Sequence, residues 1–428
     1  MAGECGVVAR RPESEGGGAG PDTAFALSRG VVVLFAVACA AAVANVYFSQ
    51  PLLVTMGDDL AMSPALVGSV VTLTHVGYGL GLFFLVPLGD VVDRRRLVVV
   101  QLLLLVAALT VVAAAPTAAV LLAGMAATGL LAVVTQTLVA FAASLAAPAE
   151  RGRAVGLVTS GVVVGILLAR TASGLIADLS GWRTVYLASA ALTALLALVL
   201  HRVLPRPSGT PSAPLRYGRL LRSTVTLFAQ ERLLRLRALY GLLVFASFST
   251  LWSSVALPLS EAPHSLSHSA IGALGLVGVV GALAATAAGR LNDRGHSHRT
   301  TGVALALLAV SWLPLAFTRS SLWPLFVGVV LLDLAVQAVH VTNQALIYAL
   351  HPAAGSRLIG GYMVCYAIGS ATGAIAATAL YTAAGWGAVC VLGAAFSGIG
   401  LALWAFVGAE AGPGPATRGV RRAPDGTE

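Results

Sequence analysis

Two ionisable side chains of opposite sign, Asp333 and Arg170, lie deep inside long apolar runs of this chain. An ionised group at the centre of a membrane helix costs roughly 2.5–3.5 kcal/mol on insertion scales, so each such residue demands a use. Asp333 stands eleven residues beyond Leu322, where its apolar run begins, which is about 16 Å at helical rise and close to mid-depth. Arg170 stands fifteen residues beyond Val155, about 22 Å from the opposite boundary by the same rise. A carboxyl at that depth can take up and release a proton, or it can be a structural acid bonded to a polar neighbour. An arginine at a similar depth can pair with it in one conformation and release it in another, or it can snorkel or bond to backbone carbonyls. His75 and His340, also within apolar runs, are titratable as well, although a packed, hydrogen-bonding histidine accounts equally for each.

Asp333, Gln337, His340 and Gln344 recur at steps of four, three and four residues, which is one face of a helix. A polar stripe on an otherwise apolar helix must face water or other polar groups. Tyr47, Tyr240, Phe248 and Trp252 are aromatic side chains that could contact a ligand, while tryptophan near a span end also serves as an interface anchor.

The elements that must position these groups are membrane helices. Of 428 residues 58% are hydrophobic and 10% charged, against about 25% charged in soluble domains. About 20 apolar residues cross a hydrocarbon core, and uninterrupted apolar length places spans near residues 31–54, 66–88, 97–115, 118–146, 155–177 and 184–204, then 238–258, 270–288, 300–318, 322–350, 358–383 and 386–408. The fold class is therefore an all-α membrane protein with 12 transmembrane helices in two six-helix bundles. Residues 1–28 form an N-terminal tail, 29–204 the first bundle, 205–237 a basic linker, 238–408 the second bundle and 409–428 a C-terminal tail. The linker, partly as an amphipathic helix, is expected on an anionic membrane surface.

Arginine supplies all 26 basic residues, and with the N-terminus inside, 23 of the 26 fall on inner segments. That bias puts both termini in the cytoplasm and the chain in the inner cell membrane as a multi-pass protein. The net charge of +9 is thereby explained without nucleic acid. Cys5, Cys39, Cys365 and Cys390 have neither metal-ligand nor disulfide spacing, so no metal and no cofactor is expected. Neither a nucleophile elbow nor a phosphate loop is present, which argues against an enzyme, and no ring of repeated pore residues suggests a channel.

The two bundles are related by an internal repeat. A shift of 204 residues carries Pro148–Gly156 onto Pro352–Gly360, Gly165 onto Gly369 and Gly181-Trp182 onto Gly385-Trp386. A shift of 200 carries Gly89-x-x-x-Asp93-Arg94 onto Gly289-x-x-x-Asp293-Arg294. The segment Gly89–Arg96 resembles the signature loop of the major facilitator superfamily, G-x-x-x-D-R-x-G-R-R, without its second glycine. Arg151 through Arg183, with Gly161, Gly165 and Gly174, is similar to that family's fifth helix, but Leu168–Gly174 departs from the Gly-Pro motif of its drug/proton antiporters. Asn45–Leu53 resembles the first helix of a bacterial subgroup of proton-coupled efflux carriers.

The resemblance implies a secondary transporter: two bundles related by an axis along the membrane normal that rock about a central site. It implies that Gly89, Asp93, Arg94, Gly289, Asp293 and Arg294 form cytoplasmic gate loops. First and fourth helices of each half line the pathway in this family, so Asn45, Tyr47, Gln50, Gln136, Gln337, Asn343 and Gln344 become candidates for the substrate cavity, with Asp333, Arg170, His75 and His340 candidates for proton coupling. The expected partners are a small organic molecule, protons and the bilayer, and the expected state is a monomer. Proton-coupled efflux is the function expected first, with an importer or an uncoupled facilitator as the alternative. The cavity is polar with little net charge, which favours a neutral or cationic amphiphile.

Overall fold

The computed structural model describes residues 29–146, 150–204, 217–278, 284, 287–292, 294–350 and 355–410. Asp293, expected in a gate loop, both tails up to 28 and beyond 410, and linker residues 205–216 lie outside them. Among the described residues the ordered elements are all helical. They are α1 (Arg29–Tyr47), α2 (Leu53–Asp59), α3 (Pro64–Phe84), α4 (Arg94–Ala113), α5 (Ala118–Ala132), α6 (Val134–Leu145), α7 (Arg151–Ser180), α8 (Trp182–Val203), α9 (Tyr217–Gln230), α10 (Arg232–Trp252), α11 (Ala256–Ser260), α12 (His268–Val277), α13 (Ser297–Leu315), α14 (Leu322–Leu350) and α15 (Gly355–Glu410). Nine helical stretches among the described residues are long and apolar enough to cross a membrane.

Local chemistry sets many of the boundaries. Asp93, Thr117 and Ser267 cap α4, α5 and α12 by accepting from the backbone N–H of Arg95, Val120 and Ala270, which satisfies donors that the first helical turn leaves free. Pro51 has no N–H for the Tyr47 carbonyl, so the first apolar run stops at Tyr47, passes through a 3-10 turn at Gln50–Leu52 and resumes as α2. The fourth apolar run also breaks, at Val133, whose carbonyl accepts from Gln136 N at 2.8 Å in a tighter turn. At the C-terminal side of the linker the structure departs from the expected boundary: α10 begins at Arg232, and Arg237 is a buried helix residue.

Solvent preference is inverted relative to a water-soluble bundle. Leu103, Leu195, Val303, Leu313 and Val391 are exposed, while Asn45, Gln101, Arg170 and Asp333 are buried. Such a surface is stable against hydrocarbon, where helices satisfy their own backbone groups.

The repeat reappears in backbone geometry. Gly181 (φ 82°, ψ 161°) and Gly385 (φ 74°, ψ −168°) turn the chain between helices, in a region of φ/ψ space that is essentially restricted to glycine. Each is followed by a buried tryptophan: Trp182 Nε1 donates to Asp59 at 3.2 Å and Trp386 Nε1 to the Leu315 carbonyl at 2.8 Å. The two arms of α15 on either side of Gly385 fold back together, since Gly369 abuts Leu242 and Ser397 Oγ lies 2.9 Å from Ser247 Oγ, both on α10. Gly165 and its counterpart Gly369 allow α7 and the first arm of α15 to lie against α1 and α10, because a β-carbon at either would strike the partner's backbone.

α9 lies across the end of the molecule from which α4, α10 and α13 start, called the basic end below. Leu220 is its one buried residue among those described. Its Tyr217 hydroxyl donates to Phe84 O at 2.6 Å, and Phe228 packs beside Gly361. The linker thus touches helices from both sides of the break in the chain.

Candidate functional site

Arg170 and Asp333 come from opposite halves of the chain and are brought to one central cluster. Arg170, on α7, is 3% exposed and Asp333, on α14, is 6% exposed. Each is within the other's electrostatic field. Trp252, the last residue of α10, stands between them: its Nε1 donates to Asp333 Oδ1 at 3.4 Å, and the Arg170 guanidinium carbon lies 3.8 Å from its ring centroid. Tyr47 and Phe248 complete an aromatic enclosure, with centroids 5.2 and 5.7 Å from the guanidinium carbon. Desolvated cation–π contacts reach about 2 kcal/mol, enough to offset much of the cost of holding this arginine out of water.

The guanidinium is incompletely bonded. Arg170 Nε donates to Gln50 Oε1 at 2.6 Å, whereas Nη2 is buried without a hydrogen-bond partner among the described residues. A buried unpaired donor costs about 1–3 kcal/mol, more for a charged one. Glycines on the neighbouring helix make room for both charges: a β-carbon at Gly275 would fall 3.0 Å from Arg170 Cβ, and one at Gly278 would fall 2.8 Å from Asp333 Oδ2.

Other predicted residues divide between this centre and the packing around it. Tyr47 and Gln50 are at the centre, and the Tyr47 hydroxyl is 2.7 Å from that of Tyr366. His75 meets the Tyr47 ring edge-on and bonds through Nδ1 to Val71 O at 2.9 Å on its own helix. His340 Nδ1 is 2.8 Å from the Tyr362 hydroxyl, beside Phe245 and Tyr366. Gln136, Gln337 and Gln344 are half-buried. Asn45 is not brought to the centre: its amide donates to Ala41 O and its carbonyl accepts from Ser189 on α8 at 2.7 Å. Asn343 likewise serves a second buried cation, with Oδ1 3.4 Å from Arg237 Nη1 and Nδ2 donating to Arg237 O at 3.2 Å. Arg237 also donates to Thr301 at 2.9 Å.

At the end opposite α9, a cluster missed in the sequence joins the two halves. Asp178, near the end of α7, accepts from the backbone N–H of His268 at 3.2 Å and of Ser269 at 2.8 Å, and its Oδ1 lies 2.7 Å from His268 Nδ1. The other ring nitrogen of His268 bonds Thr55 on α2. A carboxylate at a helix N-terminus is stabilised by the free N–H groups and the helix dipole, so Asp178 completes the start of α12 from across the molecule. Gly174 and Gly272 lie in the same seam, where a β-carbon on either would strike backbone of the other helix.

The two loops expected to form gates, at the basic end, are arranged differently. Asp93 is the N-cap of α4, and Arg94 donates from Nε to Gly89 O at 2.9 Å and from Nη1 to Ala140 O at 3.1 Å. Among the described residues the nearest atom to a β-carbon at Gly89 is at 3.7 Å, and none lies within 4 Å of one at Gly152, Gly156 or Gly289. Arg294 is exposed at the same end.

Comparison with known proteins adds a family to this geometry. The chain matches the Major Facilitator Superfamily over residues 33–284 and again over 238–425. It is 44% identical over 378 residues to the uncharacterized transporter YgaY of Escherichia coli O157:H7, covering 88% of this chain and 95% of that one. It is 33% identical over 400 residues to the probable transporter SCO4007 of Streptomyces coelicolor, covering 92% and 90%. Among solved structures, a bacterial homologue of the human lysosomal transporter Spinster, in an inward-facing and occupied conformation, superposes with a TM-score of 0.71 at 14% identity, covering 89% of this chain and 96% of that one. These matches place the chain in the major facilitator superfamily, a family of membrane transporters and not of enzymes.

Proposed function

We propose that this protein is a proton-coupled exporter of a small organic molecule, working by alternating access from the inner membrane with both termini in the cytoplasm. Twelve spans are proposed: the 50-residue stretch Leu358–Val407 counts as two because it folds at Gly385, and α13 and the interrupted run beginning with α12 join the remaining helices. The two bundles, 29–204 and 238–408, are proposed as the moving bodies, with residues 205–237 tethering them and α10 rooted in that tether. The protein is proposed to act as a monomer.

One observation carries the coupling reading: Asp333 and Arg170, on different bundles, sit on either side of Trp252, with Arg170 Nη2 lacking a partner among the described residues. In that reading a proton on Asp333 releases Arg170 to its aromatic enclosure, and loss of the proton draws the two together, biasing one conformation over the other. The bias need be no larger than a few kcal/mol to switch a two-state carrier. The bonds from Asp178 to α12 join the halves at the proposed outer end, whereas at the basic end no described atom lies within 4 Å of a β-carbon at Gly156 or Gly289, which supports assigning this conformation as inward-facing.

The test begins with growth inhibition of an expressing strain by diverse toxic compounds. Efflux of any protective hit is then measured in proteoliposomes with and without a pH gradient. Faster outward movement under an inward proton gradient is the expected result. Flux that follows only the compound's own gradient would make the protein a facilitator.

A further inference from the structure

A groove at the basic end, outside the central site, has the shape and charge of a lipid site. It lies between the helical stretch 287–292, α13 and α14 and encloses about 450 Å³, within the range of about 300–1,000 Å³ typical of ligand pockets. Its walls are apolar and mostly short: Ala288, Leu291, Val303, Leu307, Leu334 and Ala338 line it. It opens sideways, since Val303 is 70% exposed. In a bilayer such a space is filled by hydrocarbon, because water there would find almost no polar partner.

The polar lining is confined to one end, at His296, Arg299 and Thr300, where α13 begins. Thr300 is occupied, since its hydroxyl donates to His296 O at 3.0 Å. The His296 side chain makes no cap bond to the first turn of α13, and Arg299 in that turn is exposed. Arg290 and Arg294 are exposed nearby, and between residues 284 and 300 Asp293 is the single acid in the sequence. Depth is marked independently by Trp404, which stacks on His298 at 4.9 Å and donates from Nε1 to His298 O at 3.0 Å. Tryptophans held this way belong at headgroup level.

We propose that this groove binds an anionic phospholipid, with one acyl chain between α13 and α14 and its phosphate at Arg299 and the start of α13. The choice of an anionic over a zwitterionic lipid follows from the arginines, each worth about 1 kcal/mol near an anionic surface. Leu334 and Ala335, which follow Asp333 directly in α14, line the groove, so the chain packs behind the helical turn that carries the central acid.

The full-length protein in detergent is offered equal amounts of phosphatidylglycerol and phosphatidylethanolamine with identical chains, and retained lipid is counted by native mass spectrometry. The wild type should retain phosphatidylglycerol preferentially. Arg299→Gln should lower that retention about fivefold, Arg299→Lys should keep most of it, and Ala338→Leu, which fills the groove, should reduce retention of both lipids. Equal retention of the two lipids by the wild type would overturn the proposal. So would retention unchanged in Arg299→Gln or in Ala338→Leu, whatever the transport assays show.

Discussion

Trp252 is the side chain through which Arg170 and Asp333 meet, and its two functions can be separated. Trp252→Phe keeps a ring beneath the guanidinium and deletes the Nε1–H that reaches Asp333. Its expected cost in detergent-solubilised stability is under about 1.5 kcal/mol. Trp252→Leu deletes both, and a further loss on the order of 1–2 kcal/mol is expected from the missing cation–π contact. Thermal unfolding of the two variants side by side reads the difference, and equal midpoints would mean that the ring contact contributes nothing. At this scale the sequence was legible where burial depth alone decides: Asp333 and Arg170 stand out because charge is costly in hydrocarbon. It was not legible for Asn45 and Asn343, whose positions suit a cavity but whose amides are consumed by Ser189 and Arg237. Which way a polar side chain faces depends on a neighbour more than a hundred residues away.

The seam between α7 and α12 makes its predictions at the scale of the element. Asp178→Ala removes a carboxylate that accepts two backbone N–H groups of α12. Loss of a cap of this kind costs about 0.5–2 kcal/mol, here subtracted from the conformation that joins the halves at the end opposite α9. Spin labels placed across that end should therefore report a larger open population in Asp178→Ala than in wild type; an unchanged distance distribution would show that Asp178 does not hold the closure. The glycines offer a paired control. Gly272→Ala sets a β-carbon against the backbone of Arg170, while Gly156→Ala meets open space. Only the first should shift the same spin-label distances and lower transport, and an equal effect of both would contradict the packing account. Apolar length found the helices but excluded Asp178 and Arg237 from them, because charged residues at the rim of a run read as loop. Both are helical in the structure, and each has partners on other helices.

Across the whole molecule, the repeat tells which features belong to the scaffold. Gly181 and Gly385, each followed by a buried tryptophan, hold equivalent turns, whereas at the 204-residue shift Arg170 meets Ala374 and Asp333 meets Gly129. The two deeply buried charges are thus not part of the duplicated frame, and the proposed coupling rests on residues that the repeat does not copy. The sequence could not reveal that Asp178 and His268 join the halves, because both ends carry small residues and only coordinates show which pairs touch. The most direct measurement follows protons with an enclosed pH-sensitive dye in proteoliposomes while a transported compound from the growth screen is added without an imposed gradient. Wild type should move protons against the compound, and Asp333→Asn should still exchange labelled for unlabelled compound while moving protons at least about tenfold more slowly, a barrier or population change of about 1.4 kcal/mol. Proton movement in Asp333→Asn equal to that of the wild type would contradict the account.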